Sequence, residues 1–195
     1  MQIVWYGKTC FKIIFQEADI LTDPFSPQKD GFKNPKITSS IVIFSEKPEK
    51  IEESSEKNFF ILNPGEYEIK DIFIFGFPHF EKEILKTIYK IEAEEIKICF
   101  LGEISKNLTD EEIEKLGEVD ILIFPVSFKD NLELINKIEP SIIIPSCWQK
   151  EKDLNLLFKE FGFKKEPLEK FKIKKKEIKK EKVEFVPLKI YSQRL

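Results

Sequence analysis

The sequence predicts an α/β (α+β) fold in which two sheets pack together and helices lie outside them. Three observations carry that expectation. Short runs rich in branched and aromatic residues fill the first half of the chain. Strand and helix patterns then alternate, and two strand-like runs close the tail. Neither a linker nor an internal repeat interrupts the series, so one domain is the simplest organisation.

The first runs are residues 3–6, 11–15 and 19–21. Asp23-Pro24 ends the third, because proline cannot donate to a sheet ladder. Asp23 is expected to cap this turn by accepting from nearby backbone amides. A polar loop occupies residues 26–36. Ile41-Val42-Ile43-Phe44 is continuously apolar, as suits a strand buried on both faces. Residues 59–62 repeat that pattern, and Asn63-Pro64-Gly65 is a turn signal. Gly65 permits a positive φ there, and Tyr67 is expected to pack. Residues 69–75 read as one strand, and residues 84–101 as two, broken near Ala93-Glu94-Glu95. Thr109 then opens a helix, with Glu112 three residues on to complete a capping box. Ile113 and Leu116 supply its apolar face and Gly117 its stop. Residues 119–124 form a buried strand, 131–138 a helix ended before Pro140, and 142–144 a buried strand. A third helix spans 153–161 and ends at Gly162. Residues 171–188 offer the two last strands.

Hydrophobic residues make up 42% and charged residues 34%, a globular rather than a disordered balance. The net charge of −3 supplies no basic field for nucleic acid or an anionic membrane. Residues 164–182 are dense in lysine, but Glu166, Glu169, Glu177 and Glu181 dilute the charge, so a solvated edge strand is expected. Cys10, Cys99 and Cys147 are too few and too far apart for a disulfide framework or a closed Cys-rich zinc site. The opening Met1-Gln2-Ile3-Val4-Trp5-Tyr6-Gly7 lacks the basic leader and long apolar run of a signal peptide. No stretch reaches the roughly 20 apolar residues of a spanning helix. A cytoplasmic protein with no nucleic-acid and no membrane partner is expected.

Several motifs fall in one order. Trp5-Tyr6-Gly7-Lys8-Thr9-Cys10-Phe11 resembles the opening strand-turn of metallo-β-lactamase-fold hydrolases, in the branch related to ascorbate-6-phosphate lactonase. Leu21-Thr22-Asp23-Pro24-Phe25, Asn63-Pro64-Gly65-Glu66-Tyr67-Glu68 and Leu101-Gly102-Glu103 resemble its later signatures. Val119-Asp120-Ile121-Leu122 with Pro125-Val126, then Ile144-Pro145-Ser146-Cys147, follow in sequence. The resemblance implies a four-layer αββα sandwich, metallo-β-lactamase-like, with residues 1–195 as a single domain. It also implies a two-metal hydrolase site, in which histidines and aspartates hold zinc or manganese ions that activate a water.

The residues that would hold the metals depart from that pattern. The family's His-x-His-x-Asp-His motif falls on Ser45-Glu46-Lys47-Pro48-Glu49-Lys50-Ile51. Its histidine positions hold Glu46, Pro48 and Ile51, and its aspartate position holds Lys50. Proline and isoleucine have no ligating side chain, and lysine brings a positive charge where a dication would sit. By the same resemblance Lys8, Glu81 and Cys147 replace histidines, Glu103 replaces a bridging aspartate, and Phe100 replaces one more histidine. The loops after Glu81, Val126 and Cys147 are short. His79, the one histidine, falls two positions before a ligand position and reads as a surface or partly packed side chain.

The leading reading is a catalytically degenerate family member, a pseudoenzyme with a structural, binding or assembly role. It assigns no catalytic residue, no metal ligand and no cofactor, where the family would use Zn or Mn. Its vestigial site positions are Lys8, Asp23, Glu46, Glu81, Glu103 and Cys147, with Lys8 paired to at least one of Glu46, Glu81 and Glu103 in place of the metal's charge. Two alternatives stay open: a metal-dependent hydrolase with a rebuilt or single-metal site of Glu, Asp and Cys ligands, and a small-molecule-binding module using the residual cleft. The sequence names no partner; a protein partner or a homo-oligomer would suit the leading reading.

Overall fold

The computed structural model describes residues 1–51, 57–126, 131–160 and 165–191. Strands β1 (Gln2–Gly7), β2 (Cys10–Ile14) and β3 (Asp19–Thr22) form an antiparallel meander. β4 (Ile41–Ile43) joins β3 in parallel, and β5 (Phe59–Ile61) joins β4 in parallel. A second sheet starts with β6 (Gly65–Ile69), β7 (Ile72–Glu81), β8 (Ile84–Ala93) and β9 (Ile96–Phe100), linked by three hairpins. Then α1 (Asp110–Leu116), β10 (Ile121–Pro125), α2 (Asn131–Ile138), β11 (Ile142–Ser146) and α3 (Asn155–Glu160) alternate, with β9, β10 and β11 parallel. The tail divides between the sheets. β12 (Phe171–Lys172) pairs with β1, and β13 (Glu184–Phe185) pairs with β11. The strand orders are β12-β1-β2-β3-β4-β5 and β13-β11-β10-β9-β8-β7-β6.

The sheets face one another across a shared apolar core. Phe11 of β2 meets Phe100 of β9 edge-on at 6.5 Å. Tyr89 of β8 donates its hydroxyl to the carbonyl of Phe44, just beyond β4, at 2.9 Å. Trp5, Phe11, Ile13, Tyr89 and Phe100 are all fully buried. Each such side chain contributes about 1.5–3 kcal/mol by leaving water, which makes this interface the main source of stability. Leu116 of α1 and Leu134, Ile135 and Ile138 of α2 bury in the same core. α3 reaches the second sheet through Phe158, whose ring lies 5.5 Å from Phe185 of β13. This is the mixed α/β, two-sheet architecture that the sequence predicts. Among the described residues all three α-helices follow β9, and the parallel connections beside β4 carry only a 3-10 turn, Pro27–Asp30. No helix of the described residues is long and apolar enough to cross a membrane.

Local differences have physical causes. Residues 69–75 are not one strand, because Lys70 and Asp71, at φ 52° and 58°, turn the chain between β6 and β7. Two consecutive positive φ values define the primed turn whose twist suits a hairpin. Residues 65–69 belong to β6, so the turn signal at Asn63-Pro64-Gly65 ends at its first residue. Tyr67 does pack, against Phe59 at 6.4 Å. The third helix begins at Asn155 rather than Asp153. Asp153 instead accepts from the amides of Gln149 and Lys150 at 3.0 and 2.9 Å, which holds a 3-10 turn, Glu151–Leu154. Phe161 and Gly162, the expected end of that helix, lie outside the described residues. So does Lys164; the lysine-dense segment after it contributes only the short β12 and a 3-10 turn, Lys175–Glu177, rather than an extended edge strand.

Candidate functional site

The ends of four strands meet on one side of the sandwich. β3 runs into Asp23, β4 into Phe44 and Ser45, β9 into Leu101-Gly102-Glu103, and β11 into Cys147. Gly102 has φ 64°, and a Cβ on it would stand 2.3 Å from Ser45 Cβ. Glycine alone allows the β9 end to lie that close to the β4 end. Beside this contact Asp23 is buried, and its carboxylate accepts from Ser45 N at 2.7 Å and Ser45 Oγ at 2.6 Å. Burial pushes the Asp23 carboxyl up to about 6 even though Ser45 favours its charged form. Its side chain therefore crosses to the next strand instead of capping its own turn. That turn is closed by main chain, with Ser26 N donating to Asp23 O at 2.9 Å.

Lys8 sits in the tight turn between β1 and β2 at φ 48°. Its carbonyl accepts from Trp5 Nε1 at 3.0 Å and from Cys147 N at 3.2 Å, which pins the turn to the end of β11. Its ammonium lies 2.6 Å from Glu103 Oε1 and 3.8 Å from Asp30 Oδ1. Burial pulls the Lys8 ammonium down, but the bond and charge of Glu103 outweigh it and leave its pKa raised.

A second ammonium, that of Lys86 on β8, organises the other half of the cleft. It donates to the carbonyl of Glu103, lies 3.2 Å from Glu81 Oε2, and reaches Glu46 Oε2 at 3.7 Å. Glu81 also accepts from the amides of Ser105 and Lys106 and from Ser105 Oγ. Burial opposes its charge, but these donors and Lys86 bring its pKa down to about 2. His79 is buried rather than on the surface. Its Nδ1 bonds Glu112 Oε1 at 2.8 Å, while Nε2 stands 3.7 Å from Glu81 and has no hydrogen-bond partner among the described residues.

The structure thus gathers Lys8, Glu103 and Cys147 at one end of the cleft and Glu46 and Glu81 around Lys86 at the other. Asp23 joins them through Ser45 and Gly102. No sequence motif assigns a role to Lys86 or to Ser45. The two-residue turn after Glu81 could have revealed Lys86, since it sets the register that pairs Lys86 with His79. Cys147, at φ 58°, carries a thiol that burial and then Glu103 push up to about 12. It stays protonated near neutral pH, the form that neither attacks nor ligates well. The cleft residues do not fit a family-type metal pair: both ammonium groups occupy carboxylates, and no group of three or more His, Cys, Asp or Glu suited to a metal occurs among the described residues.

Two facing sheets with a cleft at these strand ends define a metallo-β-lactamase-like protein. A model described as the beta-lactamase superfamily domain matches residues 2–146, and the chain belongs to that family. Among solved structures, a candidate Zn-dependent hydrolase of the metallo-beta-lactamase superfamily from Thermotoga maritima is similar at 23% identity and TM-score 0.78, covering 96% of this chain and 97% of that one. A metallo hydrolase from the archaeon Ignicoccus hospitalis is similar at 12% identity and TM-score 0.61, covering 89% and 99%. A diiron beta-hydroxylase from Streptomyces venezuelae is similar at 11% identity and TM-score 0.60, covering 89% of this chain and 54% of that one. No curated protein matches the sequence. These likenesses correct one expectation. Proteins of this fold are metal-dependent, with zinc or two irons, so the reading of the chain as a cofactor-free protein is opposed by its relatives.

Proposed function

We propose that the chain is a catalytically degenerate member of its hydrolase-like superfamily, with a structural, binding or assembly role in place of family-type hydrolysis. The observation that supports this reading is the pair of internal ammonium groups. Lys8 on Glu103 and Lys86 on Glu81 supply positive charge among the cleft carboxylates. Activation of a water in the family manner needs open carboxylate lone pairs, and those of Glu81 are shared among Ser105, Lys106 and Lys86. The reading takes residues 1–195 as a single domain working in the cytoplasm.

A second reading, a hydrolase with a rebuilt Glu, Asp and Cys site, is favoured by the metal-dependent character of the relatives. One experiment separates the two. The purified chain is offered phosphodiester, lactone and thioester substrates, with zinc or manganese added. Turnover no greater than that of Glu81→Ala is expected. Turnover that Glu81→Ala abolishes would overturn the first reading and establish the second.

A further inference from the structure

The Asp23, Ser45 and Glu103 side of the cleft opens into a cavity of about 780 Å³, a size suited to a small organic ligand. Its walls are of three kinds. Phe25, Phe44 and Ile37 form an apolar side, with the two rings 5.9 Å apart. Lys29, Lys33, Lys36 and Lys47 line it with exposed chains, and none has a carboxylate within ion-pair reach among the described residues. The third wall is Ser26. It is 7% exposed, it lines the cavity, and its hydroxyl has no hydrogen-bond partner among the described residues. Ser26 immediately precedes the 3-10 turn at Pro27, yet its side chain makes no cap bond to that turn. A buried hydroxyl left unpaired is unfavourable, and native structures seldom keep one without a use.

The charges of the cavity are unevenly satisfied. Of its carboxylates, Asp23 is bonded by Ser45, Glu103 is paired with Lys8, and Glu46 lies near Lys86. Glu49 remains at the exposed rim. Among the described residues the four lysines have no such partners, so they leave the rim of the cavity attractive to an anion. An apolar side opposite the lysines favours a ligand that also has a ring or hydrocarbon body.

We propose that this cavity binds a small organic anion, its apolar body against Phe25 and Phe44 and its charged group met by the lysines and, after its side chain turns toward the ligand, by the Ser26 hydroxyl. The inference rests on the non-hydrolytic reading of the cleft, since the anion is held there and not consumed. The test uses 1-naphthyl phosphate in isothermal titration against the full chain, with 1-naphthol and inorganic phosphate as separate arms and with zinc or manganese added in parallel. Saturable one-to-one binding of 1-naphthyl phosphate is expected, weakening as salt rises, with both separate arms much weaker. Ser26→Ala should lower affinity on the order of tenfold. It should leave the melting temperature of the free protein unchanged or higher, because it removes an unpaired buried group. Lys33→Glu with Lys36→Glu should weaken binding further and flatten its salt dependence. Failure to bind up to millimolar concentration, binding of 1-naphthol as tight as that of its phosphate, or affinity unmoved by these substitutions would overturn the anion site. Release of 1-naphthol from the bound ester would leave the anion site standing and overturn the non-hydrolytic reading instead.

Discussion

Asp23 and Glu81 are buried carboxylates that titrate in opposite directions. Asp23 rises from 3.8 to about 6 in the fold, so the native state holds its proton more tightly than the unfolded chain. Its charged form therefore costs up to about 3 kcal/mol, a loss that develops between about pH 4 and pH 6. Glu81 falls from 4.5 to about 2, which adds about 3 kcal/mol that is present above about pH 5 and lost as pH falls towards 2. Asp23→Asn keeps an acceptor for Ser45 N and removes the buried charge. Its melting temperature should equal or exceed that of the parent at pH 7, with the advantage shrinking at pH 4. A mutant several degrees less stable at pH 7 would sink this account. The two lysines should also rank. Lys8 pairs with a Glu103 side chain that is 43% exposed, so water screens the pair and Lys8→Met should cost about 1 kcal/mol. Lys86 pairs with Glu81, whose side chain is only 11% exposed, and Lys86→Met should cost about 3 kcal/mol in urea unfolding. Equal costs would contradict that order. Lys8 and Glu103 were legible in the sequence because short motifs mark their turns. Lys86 and Ser45 were not, since their roles depend on hairpin register and on how closely two loops approach.

Turns decide which of the elements can be read without coordinates. The capping box of α1 is explicit in Thr109 and Glu112, and the structure makes both of its bonds, at 2.7 and 3.2 Å. The hairpin at Lys70-Asp71 is nearly silent, because lysine does not favour positive φ, aspartate favours it only weakly, and the flanking strands share one apolar pattern. Lys70→Asn combined with Asp71→Gly installs a favoured pair for that turn and should raise stability by about 1 kcal/mol in denaturant unfolding. A loss of stability would mean that the turn is held by contacts beyond its own backbone. Gly102 is the opposite case, one glycine on which two elements depend. Gly102→Ala would drive a methyl group into Ser45 and strain a positive φ. It should cost about 3 kcal/mol or more, as core overpacking and backbone strain combine. A soluble variant with parental stability would remove Gly102 from this role.

At the scale of the whole molecule, the fold class follows from the strand-rich first half and the later alternation, because both are written in hydrophobic periodicity. The division of the tail is not, since strands of two residues carry no period. That division has mechanical weight. β12 borders one sheet and β13 the other, and between them Lys175 meets buried Asp120 at 2.7 Å. Phe185, Val186 and Leu188 are fully buried. A chain ending at Lys170 should be insoluble or should lose its dispersed amide spectrum, and a well-folded product would refute the clamp. The clamp also bears on the order of events during synthesis. Gln2 pairs with Lys172, and Trp5 O accepts from Tyr191 N, so during synthesis β1 waits for partners made far downstream of it. At about 5–20 residues per second that wait is roughly 10–30 s. Throughout it, the outer edge of β1 offers unpaired backbone to any passing strand. The nascent chain is then an open template on the ribosome, and its yield in the cell should depend on how quickly the tail is delivered or on a chaperone that shields β1 until then.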